Sequence, residues 1–159
     1  MSEIEGQVWQ KHHRFMARAF MLAEQAFDEG EVPVGAVIVR NQQIIGKGYN
    51  QVQRLNDPTA HAEMIAISAA CESMDEKYLS ECTLYVTLEP CPMCSGAAVW
   101  SKLGAVVFGA ADANAGGCGS VFNISSNKNL NHQVEVIQGV MEAECEHLMK
   151  DFFKERRSK

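Results

Sequence analysis

The chain has 159 residues, 47% of them hydrophobic and 21% charged, with a net charge of −6. That balance excludes a disordered or fibrous chain, and the length buries enough surface to fold without disulfide staples. The acidic total argues against a generic nucleic-acid binder, the longest apolar run (Ala105 to Ala111) is far below the ~18 residues of a membrane span, and the start Met1-Ser2-Glu3-Ile4-Glu5 lacks the apolar core of a secretory signal.

One domain over residues 1–159 is expected, cytoplasmic and with no membrane partner. Residues 9–29 set Met16, Phe20, Ala23 and Phe27 near helical spacing, and Gly30 is a plausible stop. Val34 to Val39 and Gln43 to Tyr49 read as strands joined by a turn at Asn41-Gln42. Residues 51–56 read as a polar loop. Asp57-Pro58-Thr59 then opens a helix, with a cap residue and an early proline, that runs to about Met74. Thr83 to Leu88 is a strand, Cys91 to Ser101 a short helix opened by Pro92, and Ala105 to Gly109 a buried strand. Residues 110–120, with Gly116, Gly117 and Gly119, form a loop. Val134 to Ile137 is a last strand and Met141 to Arg157 a last helix. Strands alternating with helices favour a single sheet covered on both faces, the first strand pair antiparallel and the later strands mostly parallel. The last ten residues carry a local +3 against −9 for the rest. A cationic helix end also suits the helix dipole.

Two helix starts carry unusual residues: His61-Ala62-Glu63, and Glu89-Pro90-Cys91-Pro92-Met93-Cys94. Cys91 and Cys94, three apart, lie within ~60° on a helix and can reach one ion. The N-terminal dipole there favours the thiolate form. His61 and Glu63, two apart, diverge by ~200° inside a helix, but a ligand lying off the helix end can meet both. If both starts face the same sheet edge, an imidazole and two thiolates converge beside a carboxylate. Three protein ligands and an open fourth position are what a catalytic zinc takes, and zinc brings the pKa of water from ~15.7 to about 7. Glu63, not a ligand, could then pass a proton from water to a leaving nitrogen.

Other readings of the cysteine pair stay open on spacing alone. A thioredoxin-type redox pair leaves His61 and Glu63 without a role. A structural zinc needs a fourth ligand, and Cys118 or His132 could supply it. Cys71, Cys82 and Cys145 sit in apolar-patterned segments and read as buried thiols. His12, His13 and His147 read as ordinary core or surface histidines.

The combined spacing His-x-Glu and Pro-Cys-x-x-Cys is a known signature of zinc-dependent base deaminases. With Glu31-Val32-Pro33-Val34-Gly35-Ala36-Val37, Gly48-Tyr49-Asn50, Asp57-Pro58-Thr59-Ala60-His61-Ala62-Glu63, the stretch Thr83 to Cys94, Val107-Phe108-Gly109-Ala110, Asn131-His132 and Asp151-Phe152-Phe153, the chain resembles the cytidine/deoxycytidylate deaminase superfamily. Within it, the likeness is to the branch that converts the wobble adenosine of a tRNA anticodon to inosine. The resemblance implies a three-layer α/β/α sandwich with a five-stranded mixed sheet. It also implies a homodimer, one zinc per subunit, and a tRNA anticodon stem-loop as substrate. It assigns His61, Cys91 and Cys94 to zinc and Glu63 to the proton shuttle. Asn50, Ala62, Asp112 and Phe153 would contact substrate, with Phe152 and Phe153 on the tRNA-binding helix and at least one of the two in the core. The loop 110–117 carries Asn114 where the family often has a basic residue. The runner-up activity is deamination of a free base or nucleoside; a noncatalytic zinc-stabilised RNA-binding subunit is a reading from another class.

Overall fold

The computed structural model describes residues 2–157. In chain order the elements are α1 (Glu3–Asp28), β1 (Gly35–Arg40), β2 (Gln43–Tyr49), α2 (Val52–Leu55), α3 (Ala62–Met74), β3 (Thr83–Leu88), α4 (Pro92–Trp100), β4 (Ala105–Ala110), β5 (Glu135–Gln138) and α5 (Glu142–Arg157). The five strands form one sheet in the order β2-β1-β3-β4-β5. β1 is antiparallel to both of its neighbours, and β3, β4 and β5 run parallel. The sheet is mixed, as expected from the strand–helix alternation.

Both faces of the central strands are apolar, and the alternation of side chains divides the core. Ala36, Ile38, Leu84, Val86, Val106 and Phe108 meet Ala62, Ala66 and Ala70 of α3 and Ala98 and Val99 of α4. Val37, Val39, Tyr85 and Val107 point the other way, onto Phe15, Met16 and Ala19 of α1. α5 joins that second layer, where Phe152 meets Phe27 of α1 edge-on at 5.8 Å. The result is a three-layer α/β/α sandwich. Among the described residues, no helix is long and apolar enough to cross a membrane.

Several element ends differ from the sequence expectation, each for a local reason. α1 begins at Glu3 rather than near residue 9, because Ser2 and Glu5 form a reciprocal capping box. The segment 51–56 is not all loop. It contains the single turn α2, whose Gln53 and Arg54 N–H groups donate to the buried Glu31 carboxylate at 2.9 Å each. Asp57 does not cap α3. Its Oδ1 accepts from the Thr59 N–H at 2.8 Å and the Thr59 hydroxyl at 2.7 Å, which closes a tight turn. The helix starts five residues later, with His61 as its cap. The β1–β2 turn has Asn41 and Gln42 at φ 50° and 61°, the left-handed pair that a two-residue hairpin requires.

His12 is buried, and its Nδ1 lies 2.8 Å from the Tyr85 hydroxyl. Burial lowers the His12 pKa, helped by nearby Lys11 and opposed by Glu135. Burial also pushes Tyr85 up to about 12. The unfolded chain therefore binds the His12 proton more readily than the folded one, so stability is retained above the ordinary histidine value and falls as pH drops below it. Thermal melts of wild type between about pH 7 and pH 5 should show this loss. His12→Gln, which keeps a hydrogen-bonding partner for Tyr85 but cannot titrate, should flatten it; an unchanged slope would remove His12 as its source.

Candidate metal centre and active-site cleft

The topology gathers the unusual residues at one edge of the sheet. β1 is antiparallel to both β2 and β3, so β2 and β3 run the same way, as do β4 and β5. The segments leaving β2, β3 and β4 all emerge on one side. They carry Asn50 and His61, then Glu89 and Cys91, then Asp112. A cavity of about 470 Å³ opens there, closed on the far side by Phe152, Phe153 and Arg156 of α5. Ligand sites of open α/β sheets commonly lie outside the carboxyl ends of the strands.

His61 caps α3 and Cys91 caps α4, with Pro92 at the first turn; neither side chain bonds its own helix end. Both are free to turn outward. His61 Nδ1 lies 3.6 Å from Cys91 Sγ and 3.6 Å from Cys94 Sγ. A tetrahedral zinc, with Zn–S of ~2.3 Å and Zn–N of ~2.0–2.1 Å, sets its sulfur and nitrogen donors about 3.6 Å apart. The three donor atoms lie within 4.8 Å of one another, so this set fits zinc, and His61, Cys91 and Cys94 could hold the ion.

The alternatives for the cysteine pair lose support. Among the described residues, no fourth His, Cys, Asp or Glu joins the cluster. His132 Nε2 sits 2.7 Å from the Leu103 carbonyl, and Cys118 Sγ lies 3.4 Å from Ser95 Oγ. Neither closes the site as a structural zinc would need.

The three groups of the cluster shift one another. The hydrogen bond from Cys94 and the adjoining His61 bring the Cys91 thiol down to about 4, against the desolvation of the site. Cys91 in turn raises His61. Cys94 is pushed up by its hydrogen bond to Cys91 and by burial. Glu63, 4% exposed, lines the cavity beside His61, and burial raises its carboxyl to about 7.

Asn50 is buried at the end of β2 and lines the cavity. Its Oδ1 accepts from the Ala62 N–H at 2.7 Å, which fixes the amide and leaves its Nδ2 donors free of that bond. Ala62 is fully buried and has its N–H engaged by Asn50. Asp112 lines the cavity, and its Oδ1 accepts from the Asn114 and Ala115 N–H groups at 3.0 and 3.1 Å. Phe152 is buried and Phe153 is 43% exposed, so one of the pair is core and the other stands at the cleft. Arg156 bonds the Gly30 carbonyl and lies 4.7 Å above the Phe152 ring.

Two further buried carboxylates, Glu31 and Glu89, carry no role that the sequence pattern suggests. Glu31 holds α2, and Glu89 accepts from the loop after β4. Burial opposes ionisation of Glu89, but hydrogen bonds from Ser120, Asp112 and Cys118 outweigh it and hold the carboxyl below its ordinary value. The only sequence signal is position: each is a charge beside an apolar segment that the fold buries.

The family model described as the cytidine and deoxycytidylate deaminase zinc-binding region matches residues 9–110. A tRNA-specific adenosine deaminase of Aquifex aeolicus (strain VF5) is 50% identical over 144 residues, 91% of this chain and 95% of that protein. A solved structure from studies of A-to-I editing by tRNA:A34 deaminases at the wobble position of transfer RNA superposes with a TM-score of 0.82. It is 36% identical and covers 85% of this chain and 98% of that one. The guanine deaminase structure from Bacillus subtilis gives a TM-score of 0.60 at 45% identity, over 63% of this chain and 64% of that one.

α3 can present His61 only because it lies close against β2. A Cβ at Gly48 would sit 2.6 Å from the Ala62 carbonyl and 2.9 Å from the Ala66 nitrogen. Gly48→Ala should therefore lower stability by about 1–3 kcal/mol and weaken zinc retention, because the displaced residues flank the cluster. Urea midpoints and competition with a chromogenic chelator check both; a stable variant that binds zinc normally would mean that α3 can shift without moving His61.

Proposed function

The chain belongs to the cytidine and deoxycytidylate deaminase family, and we infer that it is a zinc-dependent tRNA adenosine deaminase that hydrolyses the wobble adenosine of an anticodon to inosine with release of ammonia. The observation that carries this reading is the His61, Cys91 and Cys94 cluster at the floor of a cavity that also holds a buried, non-ligating carboxylate. When bound by these three residues, zinc supplies the acidity that makes water a nucleophile near neutral pH.

The rest of the chemistry falls to side chains of the chain itself. Glu63 accepts a proton from the attacking water and delivers it to the amine leaving C6 of adenine, so its carboxylate must stay off the metal. Its enclosure beside His61 supports that role. Asn50, oriented by the Ala62 N–H on its oxygen, donates from Nδ2 to an acceptor atom of the base or ribose. The Ala62–Asn50 bond fixes this donor. Phe153, exposed at the mouth, stacks on an unpaired base. The target must leave its stack to enter the cavity, which is easiest in a single-stranded anticodon loop. Asp112 shapes the opposite wall through its turn.

The same reading includes a homodimer in the cytoplasm. Trp100, 77% exposed on α4, and the exposed Val121 and Phe122 support a second copy as partner. Sedimentation equilibrium tests it.

Incubation with an anticodon stem-loop should yield inosine at the wobble position by mass spectrometry. Guanine, cytosine and cytidine should release no ammonia; release from a free base with an unchanged RNA would favour the runner-up activity. Glu63→Ala should lower turnover by about 10²-fold or more while zinc content, read by elemental analysis, stays at wild-type level. Loss of metal and fold together would instead make Glu63 structural. Phe153→Ala should raise KM for the stem-loop about tenfold, as expected for one lost base stack of ~1–3 kcal/mol, with kcat little changed.

A further inference from the structure

The loop after β4 is held by turn hydrogen bonds within itself and by bonds to the Glu89–Pro90 segment, with no strand ladder. Between residues 111 and 120 it has no helix and no strand of the sheet, only an isolated bridge from Cys118 to Asn123. Yet it is the wall of the cleft opposite α2. Asp112 and Ala115 face the 470 Å³ cavity, and Ala111, Asp112, Ala113 and Asn114 line an adjoining groove of about 530 Å³. The loop thus partitions the target pocket from the space next to it.

One carboxylate gathers this loop. Glu89 comes directly after the last residue of β3 and is 2% exposed. Its Oε1 accepts from the Asp112 N–H at 3.0 Å and from the Ser120 hydroxyl. Its Oε2 accepts from the Cys118 and Ser120 N–H groups, each at 3.1 Å. Gly116 crosses so close that a Cβ there would overlap the carboxylate. Gly117 donates to the Pro90 carbonyl at 2.7 Å. The loop therefore closes around Glu89 and packs against the backbone of Cys91, where a Cβ on Gly117 would lie 3.0 Å from the carbonyl oxygen.

We propose that Glu89 is a positioning residue that holds the 111–120 loop as the substrate-facing wall, and so governs how tightly the RNA binds rather than how fast the amine is displaced. This rests on the tRNA deaminase reading above. The wall touches the bound nucleotide and its neighbours in the substrate and in the transition state alike. Loosening it removes uniform binding, which raises KM and spares kcat.

The geometry specifies which donor is exposed first when the charge is removed. In Glu89→Gln, the amide nitrogen can take the Oε1 position and donate to the Ser120 hydroxyl, which reverses its role. The amide oxygen keeps Cys118 and Ser120. Only the Asp112 N–H, the anchor at the cleft, loses its acceptor. Gly116→Ala presses a methyl group on the whole carboxylate, nearest Oε2, and so disturbs all its contacts to the loop while leaving the charge intact.

Both variants, loaded with zinc, are compared with wild type on an anticodon stem-loop and by amide hydrogen exchange. Zinc content should match wild type. Exchange should speed up over residues 112–120 while α4 stays protected. KM should rise about tenfold, as for one lost charge-assisted hydrogen bond, with kcat within about twofold. Unchanged exchange in both variants would overturn the claim that Glu89 holds the loop. Faster exchange with unchanged KM, or a fall in kcat alone, would overturn the claim that the wall serves binding. If wild type itself forms no inosine, the functional reading fails instead, and exchange still decides whether Glu89 holds the loop.

Discussion

The site depends on how closely the backbone of α3 can approach β2. Gly46 and Gly48 leave no side chain between strand and helix, and a Cβ at either would come within 2.5 to 2.6 Å of a helix carbonyl. The helix lies nearly on the sheet, with Ala62, Ala66 and Ala70 as its contact residues. That close approach lets Asn50, at the strand's end, reach the first helical N–H. His61 is then held over the start of α4, where the two cysteines stand. Small residues on both partners thus convert a packing distance into a ligand distance.

Around the cleft lie three buried carboxylates with different partners and different chemistry. Glu31 accepts two backbone N–H groups, and Glu89 accepts three together with a hydroxyl. Each replaces lost hydration with fixed donors, the arrangement that keeps a buried charge tolerable. Both serve loops. Glu63 has no comparable set of donors, and burial raises it to about 7. A carboxylate rich in donors stays an anchor; one poor in them exchanges a proton readily. Burial and the charges around Glu63 set it apart from Glu89, whose donors outweigh its burial.

Much of this was legible in the sequence because the fold is built from strong periodic signals. The unbroken apolar runs Val37-Ile38-Val39 and Leu84-Tyr85-Val86 fit a sheet buried on both faces. The spacing of His61, Cys91 and Cys94 allows a shared ion, and the resemblance to zinc-dependent deaminases selects that reading from the redox and structural-zinc alternatives. The illegible parts depend on contacts made only after folding. Asp57 has the chemistry of a helix cap and of a turn alike, and its bonds to Thr59 decide for the turn. Phe152 and Phe153 are adjacent and identical, and only the seat of α5 against Phe27 selects which is buried. A buried Glu31 or Glu89 looks like any surface glutamate until the donors facing it are in place.

The charge distribution constrains how the RNA is held. The cationic C-terminal segment is partly occupied by the protein itself. Lys150 pairs with Glu146 at 2.8 Å, and Arg156 is engaged by the Gly30 carbonyl and the Phe152 ring. Asn114 brings no charge to the loop, and the body of the chain outside the last ten residues is strongly acidic. An acidic body gains little from release of counterions by the phosphate backbone, the release that drives non-specific binding. Affinity must then come from the concave parts of the surface, a deep pocket for one extruded base and an adjoining groove for the neighbouring nucleotides. Under the proposed function, such a surface would gain most from a loop whose bases already stand apart.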